Sequence, residues 1–189
     1  KLIAADMKRH NGLITADDLK NYRAVEREPL RGTYRGHEII SMPPPSSGGI
    51  VMLQILNTLE RYDLAKFGHN SAQKYHVYAE ASRRAFADRA VHMGDPDFAK
   101  VPTAQLIDKN YALKRGETIN ITQASKSSEI GAGEVTFSEG MDTTHFTVVD
   151  AGGNVVTNTY TINDLYGSAV TIKGTGVLMN DEMDDFAAR

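Results

Sequence analysis

Thr143-Thr144-His145-Phe146-Thr147-Val148-Val149-Asp150-Ala151-Gly152-Gly153-Asn154-Val155-Val156-Thr157-Asn158-Thr159-Tyr160-Thr161-Ile162-Asn163 is dense in β-forming residues and is interrupted only at Ala151 to Gly153. It reads as a β-hairpin. A loop of that length favours a glycine in the left-handed region, which sets Asp150 opposite Asn154. Counting outward from there, Thr143 falls opposite Thr161, with Asn163 just beyond. Alternation of side chains then puts Thr143, His145 and Thr147 on one face with Thr157, Thr159, Thr161 and Asn163. The other face takes Phe146, Val148, Val156, Tyr160 and Ile162, the side a strand offers to a buried helical layer. Threonine has high β propensity, so a threonine-rich face is more often a solvated sheet surface than a reaction site, and its surroundings must decide. His145 reads as structural, because no Gly-x-Ser-x-Gly elbow precedes it to make a hydrolase triad.

Two surroundings favour chemistry. Upstream, residues from about 119 to 142 are rich in Ser, Thr, Gly, Glu and Lys without periodicity, and read as an exposed, mobile linker. Thr143 therefore stands where backbone cleavage would release a threonine as a new chain terminus. Downstream, Gly174-Thr175-Gly176 leads into the apolar Val177-Leu178-Met179 and then Asn180-Asp181-Glu182-Met183-Asp184-Asp185-Phe186. Four carboxylates in five residues lack the alternating ligand positions of a calcium loop. A carboxylate pair that holds a substrate ammonium is the sharper reading.

Further upstream the pattern is mostly helical. Leu2 to His10 reads as a helix stopped by Gly12, and Thr15 with Asp18 as a capping box that opens a short helix through Asn21. Residues 30 to 42 read as a second hairpin that turns at Tyr34-Arg35-Gly36-His37 and ends at Pro43-Pro44-Pro45. Ser46-Ser47-Gly48-Gly49 opens a helix whose apolar stripe is Met52, Leu53, Leu56 and Leu59. That Gly-Gly pair reads as a helix start and a close-packing point, not a phosphate loop or an oxyanion hole. A long helix runs from about Ser71 to Met93, with Tyr75, Tyr78, Ala79, Ser82, Phe86 and Arg89 spaced in threes and fours, until Gly94-Asp95-Pro96 breaks it. A further helix is expected from a Thr103 cap to Lys114, ended by Gly116.

Composition narrows the classes. The 189 residues are 41% hydrophobic, enough to bury a core. Lys plus Arg number 21 against 24 Asp plus Glu, so no basic face recruits nucleic acid. With no cysteine, thiol catalysis and cysteine-ligated metal are excluded. No apolar run approaches the roughly 18 residues of a membrane span. The chain opens without Met and in what reads as mid-helix, so a fragment of a longer protein is expected.

Four landmarks carry a family resemblance: Met42-Pro43-Pro44-Pro45-Ser46-Ser47-Gly48-Gly49, Gly94-Asp95-Pro96-Asp97-Phe98, Thr143-Thr144-His145-Phe146 and Met183-Asp184-Asp185-Phe186. In this order and at this spacing the chain resembles the gamma-glutamyltransferases, which are N-terminal nucleophile hydrolases. The resemblance implies an α+β fold, part of an αββα sandwich of antiparallel sheets with flanking helices. It implies that residues 1–142 close a large subunit and that residues 143–189 open a small one, after self-cleavage between Asp142 and Thr143. Thr143 would be the nucleophile and Thr161 the threonine that orients it, while Asn163, Glu182 and Asp185 would hold the α-amino and α-carboxylate groups of the donor. The implied partners are a gamma-glutamyl donor such as glutathione, water or an amino-acid or peptide acceptor, and the rest of its own two subunits. The implied chemistry needs neither metal nor cofactor, and the implied location is periplasmic or secreted. Residues that the family supplies from outside this stretch are absent, so the fragment alone is expected to be inactive. The alternatives are a related acylase, such as a cephalosporin acylase or a poly-gamma-glutamate transpeptidase, and a non-catalytic binding domain.

Overall fold

The computed structural model describes residues 1–131 and 143–185; residues 132–142 of the expected linker, Asp142 among them, lie outside these, as does Phe186. In chain order the elements are α1 (Leu2–Arg9), α2 (Ala16–Asn21), β1 (Leu30–Tyr34), β2 (His37–Ser41), α3 (Gly48–Leu59), α4 (Ala72–His92), α5 (Thr103–Leu106), α6 (Lys109–Glu117), β3 (Thr143–Val149) and β4 (Val155–Thr161), with single 3-10 turns at Ser127–Glu129 and Glu182–Asp185. Both sheets among the described residues are antiparallel hairpins, β1-β2 and β3-β4. The chain packs as two compact units, one of residues 26–131 and one that joins residues 1–25 to residues 143–185. Residues 1–25, which carry α1 and α2, thus group with residues 143–185.

In the unit of residues 26–131, α3 is the axis. Ile50, Val51, Leu53, Ile55 and Leu59 are all buried, so the helix is enclosed on several sides at once. The expected stripe was too narrow and partly misplaced: Leu53 and Leu59 are core, but Leu56 is half-buried and Met52 is 36% exposed. Leu30, Ile50, Leu53 and Leu106 form one cluster, and Val51, Ile55 and Leu59 pack with Val77, Ala81 and Ala85 of α4 in another. Glycine is required where the β1-β2 hairpin meets α3. A Cβ at Gly49 would lie 2.2 Å from the Met42 carbonyl oxygen, which is the close packing expected of the Ser-Ser-Gly-Gly stretch.

The β1-β2 turn takes Arg35 and Gly36 through φ of 49° and 86°, the paired positive angles of a two-residue hairpin. Ser71 caps α4, accepting the Lys74 N–H at 3.1 Å. The α4 face that is buried carries Val77, Glu80, Ala81, Arg84, Ala85 and Asp88, whereas Tyr75 and Tyr78 are exposed. The single helix expected from Thr103 to Lys114 is two. Asp108 accepts the Tyr111 N–H at 3.0 Å and so caps a new start, and α6 runs past Gly116 to Glu117.

Residues 119–131 are exposed but not loose. The Asn120 carbonyl bonds His76 Nε2 at 2.7 Å, and Ser125 donates its hydroxyl to Glu80 Oε2 at 2.6 Å and its N–H to Glu80 Oε1 at 3.0 Å. Arg83 also bonds the Ser125 carbonyl. Glu80 is itself paired to Arg84 at 2.8 Å, with both side chains almost wholly buried. Burial alone would push the Glu80 carboxyl up. The hydrogen bonds from Ser125 and Arg84 and the charge of Arg84 outweigh it and hold the group down at about 2.

In the other unit, Met7 and Ile172 are buried. The capping box of α2 forms as expected: Thr15 Oγ1 accepts the Asp18 N–H at 3.2 Å, and Asp18 Oδ2 accepts the Thr15 N–H at 2.8 Å.

Candidate active site

The β3-β4 loop fixes the register from which the site is built. The Asn154 N–H and side-chain amide donate to the two Asp150 carboxylate oxygens at 2.9 and 2.8 Å, and Gly153 takes a φ of 81°. These bonds hold the Asp150 carboxyl below its ordinary value. Seven rungs then run from Val149↔Val155 out to Thr143↔Thr161, the pairing expected from loop length. On the hydroxyl face, His145 Nδ1 meets Thr159 Oγ1 at 2.6 Å and His145 Nε2 meets Thr157 Oγ1 at 2.9 Å, while Thr147 donates to Thr157 at 3.3 Å. The opposite face carries Phe146 edge-on to Tyr160. It was expected to lie under a helical layer; instead Phe146 is 45% and Tyr160 58% exposed within this chain.

Beyond Thr161 the backbone turns sharply. Asn163 takes a φ of 71°, a conformation that asparagine tolerates better than most residues, and is only 8% exposed. Its N–H donates to Thr161 Oγ1 at 2.9 Å, tying the turn back to the last residue of the strand. The chain then returns to the same place. The Thr171↔Leu178 bridge and the bonds Ile172 N–H to Val177 O, Met179 N–H to Val170 O and Ser168 N–H to Met179 O make residues 168–179 a narrow antiparallel return. Gly167 makes that return possible. With a φ of 50°, a Cβ there would stand 2.2 Å from the Met179 carbonyl oxygen.

The return delivers the acidic loop to the end of β4. The Asp181 N–H donates to the Ile162 carbonyl at 3.2 Å, the Asp164 N–H donates to Asp181 Oδ1 at 3.2 Å, and the Asn163 amide reaches the Asp181 carbonyl at 3.4 Å. A 3-10 turn, Glu182–Asp185, starts immediately after, with the Glu182 N–H on Asn180 Oδ1 at 3.1 Å and the Asp184 N–H on the Asp181 carbonyl at 2.9 Å. Thr143 and Thr161 thus share the terminal rung of the hairpin, Asn163 follows it, and the turn carrying Glu182 and Asp185 begins beside Asn163. Asp142 lies outside the described residues.

Two supports escaped the sequence reading. Asp181 looks like one carboxylate among four, yet its backbone and side chain pin the loop. Gly167 sits in a stretch without periodicity, and only the close approach of Met179 reveals why it is glycine. Among the described residues, no three His, Asp or Glu side chains are arranged to hold a metal ion.

One end of the hairpin thus gathers a strand that opens on a threonine, a second threonine across from it, an asparagine and the start of an acidic turn. Comparison with known proteins covers the whole chain. The family model for gamma-glutamyltranspeptidase matches residues 1–189. The glutathione hydrolase proenzyme of Escherichia coli (strain K12) is 48% identical over 187 residues, 99% of this chain and 32% of that protein. The acylase ACY 1 proenzyme of Pseudomonas sp. (strain SE83) is 52% identical over 180 residues, 95% of this chain and 32% of that protein. Among solved structures, Helicobacter pylori gamma-glutamyltranspeptidase superposes with a TM-score of 0.67 at 47% identity, covering 75% of this chain and 40% of that one. The chain spans about a third of the length of the curated relatives it matches. The fold class is the α+β class of the N-terminal nucleophile hydrolases, as expected. With a family model matched from the first residue of the chain to the last, and a relative 48% identical over 99% of this chain, the chain belongs to the gamma-glutamyltranspeptidase family.

Proposed function

We propose that the full-length protein containing this chain transfers and hydrolyses gamma-glutamyl groups, with glutathione as the model donor and Thr143 as the nucleophile. The observation that carries the reading is the convergence at one end of the hairpin: Thr143 opposite Thr161, and Asn163 bonded to the start of the acidic turn.

The chemistry follows from what an N-terminal threonine offers. In the precursor the Thr143 nitrogen is an amide. Its hydroxyl attacks the Asp142 carbonyl carbon, the C–N bond breaks as the proton passes to nitrogen, and an ester joins Asp142 to the Thr143 oxygen. Water opens that ester, leaving a carboxylate on Asp142 and a free amine and hydroxyl on Thr143. The amine, of ordinary pKa about 8, then serves as the built-in base for the hydroxyl. On a donor, Thr143 attacks the gamma-carbonyl, the leaving amine takes the proton, and water or an acceptor amine releases the glutamyl group from the ester. Thr161 orients the nucleophile. Asn163 binds the donor carboxylate and ammonium end, with Glu182 and Asp185 facing the ammonium, where charge-assisted bonds give direction as well as affinity. The same reading divides the chain into large-subunit residues 1–142 and small-subunit residues 143–189, and places the protein in the periplasm or outside the cell. Among the described residues, no helix is long and apolar enough to cross a membrane.

The identity to an acylase proenzyme favours a second reading, in which the same threonine ester forms on a different acyl group. The two part at the donor end. A gamma-glutamyl group carries an α-ammonium that a carboxylate pair can hold, and a glutaryl group does not. Full-length protein is expected to release aniline from a gamma-glutamyl anilide at least about ten times faster, as kcat/KM, than from the glutaryl anilide. Preference for the glutaryl substrate would transfer the assignment to the acylase reading.

A further inference from the structure

The sequence alone gave His145 no role beyond structure, yet both of its ring nitrogens are engaged across the hairpin, at 2.6 Å with Thr159 and 2.9 Å with Thr157. We propose that His145 is a positioning residue for Thr143, a cross-strand clamp that keeps the first strand in register once cleavage has made Thr143 a chain end. The inference rests on the reading of Thr143 as the nucleophile.

The need for a clamp follows from the ladder. Thr143↔Thr161 is the last rung, and after cleavage nothing precedes it in the strand; such ends fray unless they are tied down. His145↔Thr159 is the next rung on the same face. Ordinary threonine pairs there would contribute at most one side-chain bond. The imidazole reaches two partners on the facing strand, Thr159 directly opposite and Thr157 diagonally, and so resists both separation and slippage of β3 against β4. Thr157 also accepts from Thr147, so the three threonines and the imidazole form one connected series, in which whichever ring nitrogen carries the proton donates and the other accepts. Every member of this series sits on the threonine face, and none belongs to the donor-binding residues proposed above. An effect on catalysis must therefore pass through the placement of Thr143.

The test uses full-length protein and single-turnover and steady-state hydrolysis of a gamma-glutamyl anilide. His145→Leu, which keeps neither bond, is expected to lower kcat about 10-fold or more while the donor KM moves less than about twofold, the pattern of a nucleophile held out of line. His145→Asn restores an amide where Nδ1 meets Thr159, and His145→Gln one where Nε2 meets Thr157, and at least one of them is expected to recover most of the loss. Thr159→Val, which keeps shape and removes the hydroxyl, should reproduce part of the effect. The double variant His145→Leu/Thr159→Val should be no worse than His145→Leu alone, as for two members of one contact. The proposal is overturned if His145→Leu and Thr159→Val both keep kcat within about twofold, if the loss falls on KM, or if neither amide variant improves on leucine. Wild-type protein that neither splits before Thr143 nor releases product would instead sink the reading beneath it; splitting and release with indifferent His145 variants would sink the clamp alone.

Discussion

Replacing Glu80 with glutamine separates the strap of residues 119–131 from the helix it lies on, and its size can be worked two ways. Glu80 and Arg84 are a nearly fully buried ion pair, and Glu80 also accepts both the hydroxyl and the N–H of Ser125. Removing one member of such a pair typically costs about 3 to 5 kcal/mol, because the partner charge is left buried. Glutamine keeps the shape and one acceptor, so the lower end applies. Independently, a carboxyl taken from an ordinary 4.5 to about 2 on folding corresponds to about 3 kcal/mol of stability. Because the folded-state value is depressed, this contribution is fully present above pH 4.5 and is lost as pH falls towards 2. Urea unfolding of full-length wild type and Glu80→Gln, followed at pH 7 and again near pH 3, is expected to show a difference of about 3 kcal/mol that shrinks at the lower pH. A difference under about 1 kcal/mol at pH 7, or one that stays constant across the range, would refute the claim that an ionised Glu80 anchors the strap.

Two further substitutions probe the site. Gly167→Ala places a Cβ against the Met179 carbonyl at a positive φ, and is expected to cost at least about 2 kcal/mol and to lower kcat/KM sharply, by opening the return that delivers the acidic turn; a thermal melt within a degree of wild type would contradict that packing. Glu182→Gln and Asp185→Asn are each expected to raise the KM for a gamma-glutamyl donor about 10-fold or more, and to raise it more than the KM for a glutaryl substrate, since only the first offers an ammonium to their charge. Equal effects on both substrates would remove the acids from ammonium recognition.

How much was legible in the sequence depended on how local the cause was. The β3-β4 register follows from a loop of fixed length and a glycine able to take positive φ, and it is found rung for rung from Thr143↔Thr161 to Val149↔Val155. The same holds for the Thr15–Asp18 capping box and the Arg35-Gly36 turn, each set by a few neighbouring residues. Tertiary causes were not legible. Met52 lies on an apparently apolar stripe but faces out, because the hairpin, α4 and α5 with α6 enclose other sides of α3. The break at Asp108 is a competition between helix continuation and a side-chain cap that spacing does not decide. Polar residues 119–131 look unstructured by composition, and only the buried pair on α4 to which Ser125 bonds explains why they are held. At the candidate site, the strand positions were readable; Asp181 and Gly167 were not, because their roles arise from contacts with residues more than ten positions away.

The central claim, that Thr143 is freed by cleavage after Asp142 and then acts as the nucleophile, is tested most directly by the intact mass of full-length protein beside its Thr143→Ala variant. The account predicts two polypeptides for the wild type, the second beginning at Thr143, and a single uncut polypeptide for the variant. A folded wild type that stays in one piece, or a variant that splits at the same bond, would contradict it.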